Sequence, residues 1–245
     1  IIDLEKTLLC LENACSFAED LVASGRNILF VATKRQAQSI VQEAAERCEM
    51  PYVVNRWLGG MLTNFETVRR SIARMKEITE MEESGSYKVL TKKEMLSLLK
   101  ERDKMRRNLE GIKDMHTLPG AVFVIDPNKE HIAVREARKL GIPIIALIDT
   151  NCDPDNIDYP VPGNDDALRS INIVSNALAQ AVEQGVARRE KIKPLKQDRG
   201  EETPAGAEEP VAEAQLREKT AEAPTKEAVA AETKEKTAES ADKKE

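Results

Sequence analysis

The sequence predicts an α/β protein: a parallel sheet with helices on both faces, into which a helical hairpin is inserted. Short apolar runs of strand length alternate with amphipathic stretches of helix length through residues 1–190, as in parallel sheets with crossover helices. The runs are continuously apolar, which is typical of strands buried on both faces. Two heptad-like repeats between residues 61 and 115 predict the hairpin.

The first helix and strand follow from local spacing. Apolar residues recur at helical spacing over residues 4–21, and Gly25 is placed to cap the helix that they predict. The run ILFV at residues 28–31 is short, branched and apolar, and it predicts the first strand. Because the run is continuously apolar, the strand is expected to be buried in a parallel sheet.

The second helix and strand follow directly. Thr33 and Gln36 have the spacing of a capping box, which predicts that a helix opens there and runs to about Cys48. The tripeptide YVV at residues 52–54 predicts a short second strand. Both elements belong to one repeating strand–helix unit.

The second half of the sheet is predicted after the hairpin. The runs AVFVI at residues 121–125 and IIALI at residues 144–148 predict two more buried strands, and a weaker fifth is expected near residues 157–161. Helices are predicted over residues 128–140 and 166–188. The pattern is therefore completed by further strand–helix units.

The hairpin is predicted from two series of apolar residues stepping by three and four. They are Met61, Phe65, Val68, Ile72 and Met75, and then Met95, Leu98, Met105, Leu109 and Ile112, with Arg102 interrupting the second. Such spacing predicts an antiparallel coiled coil whose turn contains Gly85, with arms of roughly 30 Å. We expect the hairpin to project from the sheet; the alternative is that its helices lie flat on it.

Composition divides the chain into four parts. We expect an α/β domain formed by residues 1–60 and 116–190, the hairpin at residues 61–115, and a disordered acidic tail at residues 191–245. The tail consists mainly of Ala, Glu, Lys, Thr and Pro, which bury too little apolar surface to offset the entropy of ordering.

Charge is unevenly distributed. The chain has a net charge of −6, yet residues 56–113 hold 14 basic and 9 acidic side chains. No apolar run is long enough to span a membrane. The four cysteines and two histidines lack the spacing of a zinc site, so we expect neither a metal nor a cofactor.

The expected edge of the sheet offers one candidate ligand site. Lys34 and Arg35 follow the first strand and Asp126 follows the third, which places them where parallel sheets bind ligands. A helix beginning at Thr33 would direct N–H groups and two cations at a phosphate. The equally weighted alternative is a helix start whose two cations are simply solvated. No glycine-rich phosphate loop is present. The loop at residues 149–155 either adds carboxylates for Mg²⁺ or, as we favour, caps its own turns.

The string RWLGGMLTN at residues 56–64 is the most distinctive in the chain. Gly59 and Gly60 permit a tight reversal or the close approach of another backbone. Trp57 either stacks on a base or, as we favour, packs the joint between hairpin and sheet. Candidate RNA-binding residues here and along the hairpin are Arg56, Asn64, Arg69, Arg70, Lys92, Lys93, Arg106 and Arg107. Interspersed glutamates leave a solvated helix face as the alternative.

Several strings together resemble one family, the bacterial form of protein two of the small ribosomal subunit. They are VATK (31–34), RWLGGMLTN (56–64), LTKKE (90–94), GIKDM (111–115), GIP (141–143) through DTN (149–151), and VPGNDDA (161–167). They occur in the family's order over about residues 1–188. The family's Gly- and His-rich opening segment is absent, Ala32 stands where the family usually has Gly, and the acidic tail is not shared.

The resemblance implies a flavodoxin-like sheet domain with a coiled-coil hairpin, in a cytoplasmic, ribosome-bound protein; the alternative location is the stroma or matrix of an organelle. It implies a non-enzymatic component that binds small-subunit ribosomal RNA where head and body meet. It also implies contacts with neighbouring proteins, including the large messenger-RNA-binding protein one, and none with membranes. The alternatives are a flavodoxin-like enzyme or sensor that binds a phosphorylated small molecule, and a coiled-coil adaptor without RNA.

Overall fold

A five-stranded sheet organises the part of the chain described by the computed structural model, residues 2–84 and 91–197. The strands are β1 (Ile28–Val31), β2 (Tyr52–Val53), β3 (Ala121–Ile125), β4 (Ile144–Ile148) and β5 (Tyr159–Pro162). Their order is β2-β1-β3-β4-β5, and every neighbouring pair is parallel. The α/β class and the parallel sheet are therefore confirmed.

Six α-helices accompany the sheet within these residues. They are α1 (Leu4–Ala23), α2 (Gln38–Arg47), α3 (Phe65–Glu83), α4 (Lys92–Leu109), α5 (His131–Lys139) and α6 (Leu168–Gln197). Short 3₁₀ turns follow at Glu110–Ile112 and Pro154–Asn156. Chain order reverses between β1 and β3, which is where sheets of this class open a crevice.

The two faces of the sheet have separate cores, because successive side chains of a strand point to opposite faces. Ile28 and Phe30 of β1 pack with residues of α1, α2 and α6. Leu29 and Val31 pack instead with residues of α5, the start of the hairpin and its returning end. The hairpin and α5 therefore share one face of the sheet.

Helix α2 begins later than the sequence predicts. Thr33 forms no capping box with Gln36, since both the N–H and the hydroxyl of Thr33 donate to the carboxylate of Glu130. A turn follows in which the N–H groups of Ala37 and Gln38 donate to the Lys34 carbonyl. The predicted helix N-terminus at Thr33 is wrong, because a distant carboxylate engages the capping residue.

The last helix runs further than expected. Helix α6 continues to Gln197, so residues 191–197, assigned to the tail, are helical. The extension includes Pro194, which disfavours a helix interior, so local propensity does not account for it. Residues 198–245, the remainder of the predicted disordered tail, lie outside the described residues.

The helical hairpin is present, and its base packs on the sheet. Ile72 of α3 and Leu109 of α4 belong to the same buried cluster as the strands. Met61 and Ile112, which the heptad pattern placed on the helices, lie in flanking turns. The predicted turn at Gly85 lies outside the described residues, and coiled-coil packing stays a prediction.

Candidate nucleic-acid interface

The root loop, residues 56–64, lies between β2 and α3 and has distinct inner and outer sides. Trp57, Met61 and Leu62 are buried in the core that the hairpin shares with the sheet. Arg56 and Gly59 are exposed. The packing interpretation of Trp57 thus accounts for its position, and the outer side is left to other residues.

A single carboxylate holds the inner side of the root loop. Glu136 of α5 accepts the indole N–H of Trp57 at 3.1 Å and the N–H of Gly60 at 2.7 Å through Oε1. Its Oε2 accepts the N–H groups of Leu62 and Thr63 and the Thr63 hydroxyl, all at 3.0 Å. Five hydrogen bonds therefore fix this loop to α5.

The hydrogen bonds also settle the charge of Glu136, whose residue surface is only 7% exposed. Burial opposes ionisation, but the N–H groups of Thr63 and Gly60 and the Trp57 indole outweigh it and lower the pKa of Glu136 below its ordinary value. The carboxylate is ionised at neutral pH, and residues 2–84 and 91–197 supply no cationic partner for it. Its negative charge is balanced by the dipoles of one loop.

The two glycines of the root loop differ in what the fold requires of them. Gly60 has φ +92°, and a Cβ there would lie 3.3 Å from Cβ of Asn64, so the turn itself needs glycine. Gly59 lacks a positive φ, and a Cβ there would meet nothing within 4 Å. Nothing inside the described chain requires glycine at position 59.

The exposed arginines nearest the root loop form one group. The side-chain amide of Asn55 donates to the Arg107 carbonyl, which brings the end of α4 beside Arg56. In the described part of the chain Arg56 and Arg107 have no carboxylate partner. Arg106, on the last turn of α4, pairs at 3.2 Å with Glu110, which begins the 3₁₀ turn that follows.

The first turns of α3 add two further cations. Arg70 is exposed and has no ion pair among the described residues, whereas Arg69 makes only a 3.8 Å contact with Glu66. Asn64 does not cap α3 with its side chain, which instead accepts the Thr67 hydroxyl at 2.8 Å. These side chains remain available to a partner.

The remaining hairpin candidates lie at its far end. Lys92 and Lys93 open α4, where Thr91 and Glu94 form a capping box. The helix rise places Lys92 about 22 Å from Arg107 along the axis of α4. The structure thus separates the predicted hairpin cations into a root group and a distant pair.

Lys34 lies in a different environment from the one expected. Its ammonium contacts carboxylate oxygens of Asp166 at 2.7 Å, Asp165 at 2.8 Å and Asp126 at 3.5 Å. Burial lowers the pKa of Lys34, but these carboxylates outweigh it and raise the pKa above that of a free lysine. The side chain is 13% exposed, so its charge is used within the protein. Arg35, by contrast, is exposed.

The same cluster occupies the crevice between β1 and β3. Ligand atoms of Asp126, Cys152 and Asp165 lie within 4.8 Å of one another, a spacing that would suit a shared cation. The ammonium of Lys34 already supplies positive charge beside two of them. Burial raises the pKa of Asp165, which shares that cation with neighbouring carboxylates.

The acidic loop at residues 149–155 mainly caps its own backbone. Asp149 accepts the N–H of Thr150 at 2.6 Å, and Asp153 accepts the N–H of Asp155 at 3.0 Å. These contacts agree with the turn-capping interpretation favoured from the sequence. The loop offers no separate arrangement of its three carboxylates for catalysis within the described residues.

Sequence reasoning missed Glu136 and Glu130. Glu136 lies at helical spacing from Ala133 and beside Ala137, on the buried side of α5. A carboxylate on an apolar helix face was the available signal, because such a charge is rarely buried without partners. The hydrogen-bond partners of Glu136 could not be predicted from the sequence, because Trp57 is 79 residues away.

No helix among the described residues is both long and apolar enough to cross a membrane.

A sequence model of the family described as "Ribosomal protein S2" matches residues 1–185. The chain is similar to small ribosomal subunit protein uS2 of Mycobacterium ulcerans, with 50% identity over 95% of this chain and 84% of that protein. The Mycolicibacterium gilvum protein of the same name is 51% identical over 87% of this chain and 76% of its own length. The Mycobacterium tuberculosis protein of that name is 54% identical over 77% of this chain and 66% of its own length.

Proposed function

Because the chain belongs to the ribosomal protein S2 family and is therefore a small-subunit constituent rather than an enzyme, we propose that it binds small-subunit ribosomal RNA through the base of its hairpin. The observation that carries the proposal is the group of exposed arginines beside the root loop. Arg56, Arg70 and Arg107 lack carboxylate partners in the described chain, and free guanidinium groups suit phosphate.

The distribution of charge supports this surface over the rest of the molecule. Residues 56–113 have more basic than acidic side chains, whereas the chain as a whole carries −6. Phosphate is therefore attracted to the hairpin and repelled, on average, elsewhere. Lys92 and Lys93 give the distal hairpin a second point of contact with RNA. Lys34 has no part in it, because three carboxylates surround its ammonium.

The hairpin acts as an inserted unit whose base is fixed and whose distal half projects as a coiled coil. Burial of Ile72 and Leu109 in the core of the sheet supports a fixed base. Met95 and Leu98, in the distal part of α4, are only half-buried. Residues 1–60 and 116–190 form the domain that carries it.

The acidic remainder of the surface suits protein neighbours. In this proposal the chain lies where head and body of the subunit meet and helps to hold the large messenger-RNA-binding protein one. Subunits assembled without the chain should then retain less protein one after sedimentation, while their other proteins stay bound. Equal retention of protein one with and without the chain would contradict this part.

RNA binding is tested by matched charge reversals in the full chain. Arg70→Glu with Arg107→Glu should weaken binding to small-subunit RNA and lower the slope of log affinity against log salt by about 2. The control, Lys6→Glu with Arg169→Glu, makes the same change in net charge on α1 and α6, on the other face of the sheet. Filter binding across a salt series measures both. Equal losses in the two double variants would contradict a localised RNA surface.

A further inference from the structure

Most backbone N–H groups in the second part of the root loop, residues 58–64, donate to acceptors within the protein. Glu136 accepts the N–H groups of Gly60, Leu62 and Thr63. The N–H groups of neighbouring loop residues donate to the Met61 sulfur, the Leu58 carbonyl and the Gly60 carbonyl. Within the root loop the described chain supplies no acceptor for the N–H groups of Arg56, Trp57 and Gly59, and of these three only Gly59 has no side chain beside its N–H.

Gly59 combines this free donor with open space. The residue is exposed, and a Cβ built on it would meet no atom of the chain within 4 Å. Neither packing nor a positive φ explains the absence of a side chain there. A partner that approaches the backbone itself would explain it, because only glycine allows the closest approach to a main-chain N–H.

We propose that the root loop is a preorganised docking surface for the sugar–phosphate backbone of RNA, with the Gly59 N–H as its donor and Glu136 as its positioning residue. The proposal rests on the RNA-binding function proposed above and names the contact within it. Phosphate oxygens accept main-chain N–H groups readily, and such contacts fix the register of a protein on nucleic acid.

The chemistry of the surrounding side chains fits the same partner. Arg56 lies three residues before Gly59 on the exposed side of the loop and has no carboxylate partner in the described chain. The Leu58 side chain, 36% exposed, supplies an apolar neighbour. Because Glu136 has already fixed the loop, binding there loses little further conformational entropy.

The closing experiment compares two glycines in the full chain. Gly59→Ala should weaken binding to small-subunit RNA by about tenfold, since a hydrogen bond to a charged acceptor is lost, while the thermal midpoint stays unchanged. Gly141→Ala is the control: that glycine also has open space around it but φ +65°, so the substitution should lower the midpoint and leave RNA affinity unchanged. The salt slope should not change in Gly59→Ala, because no cation is removed.

Glu136 is tested by its near-isosteric amide. Glu136→Gln places an NH₂ group against backbone N–H donors, so the loop should become sensitive to protease and RNA affinity should fall several-fold at temperatures where the variant is folded. Full affinity in a folded Glu136→Gln protein with a protease-sensitive loop would overturn the positioning role.

The outcomes separate this contact from the broader function. If the Arg70 and Arg107 reversals weaken RNA binding while Gly59→Ala does not, the Gly59 contact is wrong and the RNA-binding function stands. If neither change weakens binding, both are wrong.

Discussion

Two ionised side chains of opposite sign are enclosed in this protein by opposite means. Glu136 has five hydrogen bonds, all from neutral donors within residues 57–63. Lys34 instead contacts three carboxylates that come from the end of β3 and from the turn before α6. The anion joins α5 to a single loop, whereas the cation joins three segments, which are the residues after β1, the end of β3 and the turn before α6.

The two charged side chains therefore relate to function differently. Glu136 accepts hydrogen bonds from the inner side of the root loop, so the outer side of that loop is free to contact a partner. The Lys34 centre carries one positive and three negative charges, so it would repel phosphate while it stabilises the sheet edge. The Glu136 site supports the proposed interface, whereas the Lys34 site fills the crevice in which parallel sheets of this class bind ligands.

Removing the cation should have the largest effect. Lys34→Met should lower the free energy of unfolding by about 3–5 kcal/mol, because Asp126 and Asp165 would remain buried without a counter-charge. Urea unfolding followed by circular dichroism measures it. Lys6→Met, at an exposed lysine, is the control. A loss in Lys34→Met as small as that of the control would show that the carboxylates do not depend on Lys34.

Weakening the anion should cost somewhat less. Glu136→Gln should lower the free energy of unfolding by about 2–3 kcal/mol, since at least one donor of the loop would face another donor. Glu66→Gln on the exposed face of α3 should change it by less than about 0.5 kcal/mol. Urea unfolding again measures both variants. Equal effects would contradict the assignment of the root loop to a single carboxylate.

Substitution of Gly60 should lower the free energy of unfolding by less than either of these changes. Gly60→Ala should cost about 1–2 kcal/mol, because its φ of +92° is unfavourable for a residue with a Cβ. Thermal unfolding beside Gly59→Ala checks this, and we expect the latter within about 0.5 kcal/mol of the parent protein. Similar losses at both positions would mean that the loop needs both glycines for its own conformation.

Acidification should change the stability contributed by Glu136 and by Asp165 in opposite directions. This is the smallest effect that we expect. The pKa of Glu136 is lowered on folding, so its contribution is present above the ordinary glutamate pKa of about 4.3 and is lost as the pH falls through its folded value. The pKa of Asp165 is raised by burial, so acidification relieves its cost. The parent should therefore lose stability relative to Glu136→Gln and gain it relative to Asp165→Asn between pH 7 and 3. Stability–pH profiles with the same shape in the parent and both variants would contradict the opposite pKa shifts of Glu136 and Asp165.

The sequence allowed prediction of the sheet because its information is local. The ILFV and AVFVI runs predict both the length of each strand and its burial on two faces, and both strands lie where they were expected. The start of α2 could not be predicted in the same way. Thr33 has the right residue type for a cap, but Glu130, 97 residues away, accepts its hydrogen bonds.

The candidate site was predictable in part for the same reason. The double glycine and the paired arginines were visible as residue types, and the root loop does lie at the base of the hairpin. Which cations are free was not visible, because it depends on tertiary ion pairs. Lys34 and Arg35 are adjacent in sequence, yet one is enclosed by carboxylates and the other is exposed.

The separation between the root loop and Glu136 has a consequence for the newly made chain. Thr63 precedes Glu136 by 73 residues, so the ribosome that synthesises this protein makes the whole hairpin before the carboxylate that holds its base. At about 5–20 residues per second, that interval lasts roughly 4–15 seconds. During that interval the two helices of the hairpin are completed while the root loop still lacks the carboxylate that holds it. The order of synthesis thus delays completion of the proposed RNA-binding surface until α5 has been made.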